Sequence, residues 1–164
     1  MTHPYAQPLA DLFRHLIPEM VLVLFACVLF VGGLFKADRR LWGGVALAAL
    51  ALAFLTLLFT PASPDLGKDA VFAVPMLFDP LAQLTRILAL ATGFVFILLC
   101  WHEMPEKHVA DHHACLLVIS AGVGLVGCSN DLVTLFLALE LTSIPTYIML
   151  YLPRHDDGDR KSVV

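Results

Sequence analysis

A carboxylate lies in the middle of an apolar stretch near the C-terminal end of the chain. Residues 130–152 read NDLVTLFLALELTSIPTYIMLYL, with Glu140 about midway and Pro145 five positions later. On a helix, Ser143 and Tyr147 would share the face of Glu140, three and seven positions on. A titratable acid beside two hydroxyl groups could accept and release protons inside a membrane.

The proline strengthens this interpretation. Pro145 has no N–H for the carbonyl of Leu141, and its ring displaces that carbonyl. An unpaired carbonyl within a membrane requires a polar neighbour or a water molecule. The sequence therefore predicts a hydrated site in which Glu140 relays protons, supported by Ser143, Pro145 and Tyr147. The alternative is a neutral Glu140 that hydrogen-bonds to a neighbouring helix and serves packing alone.

A second charge, Arg86, lies about 10 Å into another apolar segment, at 1.5 Å per helical residue. Helical spacing places Asp79, Gln83 and Gly93 on its face. Two interpretations remain open for this supporting residue. Its side chain extends to the membrane interface, or it takes part in charge transfer. A salt bridge from Arg86 to Glu140 would require the two helices to be adjacent and the arginine to reach inward.

The histidines and cysteines give no clear metal signature. His102, His108, His112 and His113 fall within twelve residues beside several acids, but their spacing matches no zinc motif. A solvated loop at a membrane surface is the simpler interpretation, and a metal-binding or pH-sensing role is the alternative. The four cysteines form no C-x-x-C pair and lie in or beside apolar runs, which favours a packing role.

The composition indicates a membrane protein. Of 164 residues, 59% are hydrophobic and 15% charged, and the mean hydropathy is +0.83; a soluble domain is about a quarter charged. The net charge of −4 provides no basic surface for nucleic acid. The sequence has no glycine-rich phosphate loop and no haem or iron–sulfur signature, so we expect no cofactor in this chain.

Five apolar segments are long enough, at about twenty residues, to cross a bilayer. We therefore predict an all-α polytopic membrane protein with about five transmembrane helices. Residues 1–152 would form one membrane domain, followed by a polar cytoplasmic tail at 153–164. Prolines and a glycine exclude continuous helix in 60–78. The predicted spans are 17–35, 41–59, 80–101, 113–128 and 131–152.

Two local patterns predict how helices begin and pack. Asp79 precedes the third span and is the expected N-cap. In the fourth span, Ser120, Gly124 and Cys128 recur every four residues. Such a stripe of small residues allows two helices to approach closely, and we interpret it as a packing surface only.

The basic residues predict the orientation, because Lys and Arg accumulate in cytoplasmic loops. Alternating helices place seven of the ten on one side and two on the other, with Arg86 inside a span. We therefore expect the N-terminus outside and the C-terminus in the cytoplasm or its equivalent. The seven are Lys36, Arg39, Arg40, Lys107, Arg154, Arg160 and Lys161, and the two are Arg14 and Lys68.

The run SAGVGLVGCSNDLVTLFLALELTSIPTYIMLYLPR resembles the fourth and fifth transmembrane helices of subunit N of respiratory NADH:quinone oxidoreductase, complex I. That family shows a similar phrase: Asn-Asp-Leu, an apolar run, then Glu-Leu-x-Ser-x-Pro-x-Tyr. The opening Pro18-Glu19 and the third span's FDPLAQLTRIL are also similar to the family. The counterparts in the phrase are Asn130, Asp131, Leu132, Glu140, Leu141, Ser143, Pro145 and Tyr147.

The resemblance implies a proton-pumping membrane subunit without a redox cofactor of its own. In the family, the glutamate of the fifth helix pairs with a lysine on the seventh, and Glu140 matches that glutamate. The function implied is a contribution to proton translocation coupled to quinone reduction. The partners implied are other complex I membrane subunits and the lipid bilayer, with NADH and quinone used elsewhere in the complex.

The chain is much shorter than the family's subunit, so we expect it to be truncated before further helices. Without the partner lysine, Glu140 would be protonated and inactive. Two alternatives therefore stay open: a truncated, non-catalytic membrane fragment, and a cation/proton antiporter subunit that uses the same glutamate.

Overall fold

A computed structural model describes residues 12–35, 38–60, 75–102 and 105–152. These residues contain five α-helices of 16 to 20 residues and no regular strand, which confirms the predicted all-α fold class. A short 3₁₀ helix, Glu106–His108, precedes the fourth. The helices are α1 (Ile17–Gly32), α2 (Arg39–Leu58), α3 (Pro80–Leu99), α4 (Val109–Cys128) and α5 (Leu132–Tyr151).

Four of these helices are long and apolar enough to cross a membrane, while α1, with 16 residues, is shorter. The chain is an integral membrane protein with several spans. The predicted bounds differ most at α4, which begins at Val109 instead of residue 113. Its first turns are polar in sequence, but packing against other helices buries them. α1 ends at Gly32, because Gly32 and Gly33 are poor helix formers.

The central element is α4, which packs against each of the other four helices. Thirteen of its twenty residues are buried, compared with two of twenty in α5. The neighbour with which α5 shares most of its contacts is α4. The large side chains of the resulting core come from the first four helices: Leu22, Leu29, Leu50, Leu57, Leu90, Ile97, Leu116 and Leu117.

The small residues of α4 pack as the sequence predicts. Ser120, Gly124 and Cys128 are all buried. A Cβ on Gly93 of α3 would collide with the Ser120 hydroxyl, so the two helices meet closely there. The predicted packing stripe is confirmed.

Aspartates cap two of the helices. The Asp79 carboxylate accepts a hydrogen bond from the backbone N–H of Ala82, at 2.7 Å, which confirms the predicted N-cap of α3. Asp131 caps α5 in the same way, accepting from the N–H of Thr134 at 2.5 Å. This bond to the backbone N–H of Thr134 lowers the pKa of Asp131, because it favours the ionised carboxylate.

The segment before α3 pairs with the turn between α4 and α5. The N–H of Leu77 donates to the carbonyl of Cys128 at 2.8 Å, and the N–H of Asn130 donates to the carbonyl of Pro75 at 2.9 Å. The predicted interruption of helix at 60–78 is confirmed for the described residues of that stretch.

Several predictions fall outside the described residues. The tail at 153–164 is one of them, so the division of the chain at residue 152 stays a prediction. Five of the nine basic residues used for orientation also lie outside: Lys36, Lys68, Arg154, Arg160 and Lys161.

Candidate functional site

Glu140 is the ninth of the twenty residues of α5 and lies on an uncovered side of that helix. The two buried residues of α5 are Ala138 and Pro145, whereas Glu140 is exposed. Its carboxylate makes no hydrogen bond or ion pair with any residue in the described ranges. The alternative in which Glu140 joins two helices by a hydrogen bond therefore finds no partner in this part of the chain.

The predicted polar side of α5 is present and faces away from α4. Ser143 is half-buried, and Tyr147 is 62% exposed. The Ser143 hydroxyl donates to the carbonyl of Leu139 at 2.7 Å, which leaves its oxygen free to accept from a further donor. Val133 and Phe136 lie on the same side and are also exposed.

Pro145 lies inside a helix that continues on both sides of it. Because proline has no N–H, the carbonyl of Leu141 lacks its usual helical donor. Pro145 itself is buried. The missing bond lies one residue from Glu140, as the sequence predicts, and hydration there stays a prediction.

The opposite side of α5 contacts α4 closely. A Cβ on Gly122 would lie 2.7 Å from the Thr142 Cγ2 atom and 3.3 Å from the Ala138 carbonyl oxygen. Ala138 and Thr142 are each two residues from Glu140, which is about 200° around a helix. The contact at Gly122 therefore sets which way Glu140 points.

Arg86 is buried and paired with an acid on another helix. The arginine is 2% exposed, and it forms two hydrogen bonds with Glu19 on α1. Its Nε donates to Oε1 at 2.7 Å and its Nη2 to Oε2 at 2.6 Å. A carboxylate on α1 holds the guanidinium. Both interpretations of Arg86, extension to the membrane interface and charge transfer, stay predictions. The described ranges contain no salt bridge from Arg86 to Glu140, because Arg86 pairs with Glu19 and Glu140 is exposed on α5.

Further contacts enclose this ion pair. The Nη2 of Arg86 also donates to the carbonyl of His15 at 2.5 Å. The guanidinium lies over the ring of Phe78, with Cζ 5.5 Å from the centroid, and Phe78 stacks on the His15 ring at 4.7 Å. On α4, a Cβ on Gly124 would lie 3.1 Å from the Glu19 Oε1 atom. Glycine at that position gives the pair its space.

Sequence reasoning missed the pairing of Glu19. In the sequence, this residue stands out only because Pro18-Glu19 opens the first span and resembles the family. A signal was available, since an acid in the first turn of one apolar helix and a base inside another would each be costly alone in a membrane. Pairing them is the simplest way to lower that cost.

The interpretation of the histidines as a solvated loop is wrong for two of the four. His112 and His113 lie inside α4, at 2% and 1% exposure, with their Nδ1 atoms 3.4 Å apart. His102 is exposed and His108 is half-buried. Within the described ranges, no group of three or more His, Cys, Asp or Glu residues could hold a metal ion.

The chain is similar in sequence to NADH-quinone oxidoreductase subunits N from several bacteria. Over 142 residues the chain is 28% identical to NADH-quinone oxidoreductase subunit N of Azorhizobium caulinodans, covering 84% of this chain and 29% of the relative. It is 29% identical over 140 residues to the subunit N of Geobacillus kaustophilus, covering 80% and 27% respectively. For subunit N 1 of Rhizobium meliloti the identity is 29% over 141 residues, covering 84% and 28%.

The chain thus spans about 29% of the length of the curated relatives it matches. No protein-family profile matches it. No solved structure matches it either. As the motif around Glu140 predicts, most of this chain is related in sequence to NADH-quinone oxidoreductase subunit N.

Proposed function

We propose that this chain is part of a membrane subunit of an NADH-quinone oxidoreductase and contributes to proton translocation coupled to quinone reduction. The names of its relatives and its apolar helices support this assignment. On this proposal, the chain lies in a bacterial inner membrane with its N-terminus outside. Its partners are other membrane subunits of the oxidoreductase, while NADH and quinone react elsewhere in the assembly.

The observation that carries the proposal is the placement of Glu140. An acid near the centre of a membrane helix costs about 2.5–3.5 kcal/mol on insertion scales when charged, and such residues face protein or water. Glu140 is exposed on α5 and has no partner within the described ranges. On this proposal that side of α5 meets water or a cationic side chain in the working protein, and the carboxylate exchanges protons there.

Neighbouring groups on α5 support a wet surrounding for this acid. The Ser143 oxygen can accept a hydrogen bond from water, because its own proton is used by the Leu139 carbonyl. Pro145 leaves the Leu141 carbonyl with a free lone pair. In this proposal Glu140 takes up and releases the proton at its carboxylate, and these oxygens hold the water that brings it.

Replacing Glu140 by Gln in the assembled oxidoreductase tests the proposal. Glutamine keeps the size and the hydrogen-bonding capacity of the side chain but cannot carry a proton. We expect proton translocation and coupled quinone reduction to fall severalfold while assembly is retained. Phe136→Leu, on the same side of α5, is the control and should leave both rates unchanged. Unchanged rates in assembled Glu140→Gln enzyme would remove this residue from the proton path.

A second candidate is a membrane fragment in which Glu140 does not function. The absence of a partner for Glu140 within the described ranges favours it. For such a fragment, the Glu140→Gln variant and the wild type would give the same result in every transport assay.

A further inference from the structure

The Glu19–Arg86 pair and α5, the helix that carries Glu140, pack against opposite sides of α4. Gly124 of α4 receives the pair, with its Cβ position 3.1 Å from the Glu19 Oε1 atom. Gly122, two residues earlier, receives α5 at Ala138 and Thr142. Two residues correspond to about 200° on a helix, so α4 itself lies between the ion pair and the helix that carries Glu140.

The Glu19–Arg86 pair is suited to fix the positions of α1 and α3 relative to each other, not to transfer protons. An arginine keeps its proton at any physiological pH. Both oxygens of Glu19 are bound by the guanidinium, and the His15 carbonyl accepts one more of its hydrogen bonds. Parallel hydrogen bonds of this kind fix geometry in addition to supplying energy. The charges are therefore a fixed link between α1 and α3.

This link restrains α4, since the pair fills the space beside Gly124 and neither helix can slide without breaking a hydrogen bond. In turn, α4 is the main neighbour of α5. A Cβ added at Gly122 would lie 2.7 Å from the Thr142 Cγ2 atom and 3.1 Å from its backbone nitrogen, so the two helices pack closely there. A shift or rotation of α4 would therefore be transmitted to α5.

We propose that Glu19 and Arg86 are positioning residues for Glu140, acting through Gly124 and Gly122 of α4. The inference depends on the proposed role of Glu140 for its functional meaning. The structural part of the inference is that removing the pair changes the surroundings of Glu140. This part can be tested without measuring proton transport.

The measurement is the rate at which dicyclohexylcarbodiimide modifies Glu140 in native membranes that contain the full protein. This reagent is apolar and attacks protonated carboxyl groups, so its rate reports the access and protonation of that one acid. Mass spectrometry of the peptide that carries Glu140 gives the modified fraction, and immunoblotting gives the amount of protein in the membrane.

Two variants disturb the pair without leaving a charge buried alone. In the double variant E19Q/R86M both charges are removed, a change that buried ion pairs often tolerate. In Gly124→Ala the pair is kept, but a methyl group is pushed against Glu19. The matched control is Gly44→Ala on α2, where an added Cβ meets nothing within 4 Å.

We expect both variants to change the modification rate at Glu140 by at least about fivefold, the lower range of coupling between distant sites, at unchanged membrane content. Gly44→Ala should keep the wild-type rate. Wild-type rates in both variants would overturn the proposal. Loss of both proteins from the membrane would also overturn it, because the pair would then serve insertion alone.

If the double variant alone is lost from the membrane, Gly124→Ala decides the outcome. The result is also separable from the proposed function. An altered modification rate together with unchanged transport in Glu140→Gln would support the positioning link and reject the proton relay.

Discussion

At the scale of single residues, the two charges placed inside the spans have opposite surroundings. Arg86 is buried. Its guanidinium donates two hydrogen bonds to Glu19 and one to the His15 carbonyl. Glu140 points away from α4 and meets no polar partner in the described ranges. One residue is therefore paired within this chain, while the other has no polar partner in the ranges that the structure describes.

Removing one member of the buried pair should be more harmful than removing both. Arg86→Met leaves the Glu19 carboxylate unpaired, which for a buried ion pair costs about 3–5 kcal/mol. We expect a clear loss of thermal stability in detergent, and a smaller loss in E19Q/R86M. Arg14→Met, at an exposed position, is the control. A single variant as stable as the wild type would contradict the enclosed geometry of the pair.

At the scale of helices, local sequence patterns predicted those features that depend on residues close in sequence. The cap at Asp79 and the small-residue stripe of α4 were both predicted, because each depends on spacing within a few residues. The start of α4 was missed, since the burial of His112 and His113 depends on three-dimensional packing. The pairing of Glu19 with Arg86 was missed for the same reason, as the two are 67 positions apart.

The Asp131 cap predicts a pH dependence. Its pKa is lowered in the folded protein by the bond from the Thr134 N–H. Its contribution to stability is therefore present above the unfolded pKa of about 3.9. That contribution is lost as the pH falls through the folded value. We expect Asp131→Ala to be less stable than the wild type at neutral pH, with the difference vanishing in acid.

Thermal unfolding in detergent at a series of pH values measures this difference. A deficit of Asp131→Ala that persists below the folded pKa would show that the ionised carboxylate is not what stabilises the start of α5.

The contact between α4 and α5 predicts a steric effect at Gly122. A leucine there would overlap Thr142 and the backbone near Ala138. Overpacking of this kind costs about 1–3 kcal/mol, so Gly122→Leu should lower the melting temperature. Gly44→Leu is the matched control, because nothing lies within 4 Å of its Cβ position. Equal melting temperatures for the two variants would contradict the close approach of α4 and α5.

At the scale of the whole molecule, four helices share a core and the fifth is attached mainly to α4. In the described ranges, two residues of α5 are buried, compared with thirteen residues of α4. Lipid can cover the apolar part of α5, but not an ionisable group near its middle. Because the chain spans about 29% of the length of its relatives, the sequence could predict the acid and its helix but not what covers them.

The most direct test of the proton-relay claim is a high-resolution structure of the protein in its native membrane assembly. The claim predicts water or a cationic side chain within about 3 Å of the Glu140 carboxylate, the range of a hydrogen bond. A carboxyl group packed on all sides by apolar side chains or lipid, with no water within that distance, would contradict it.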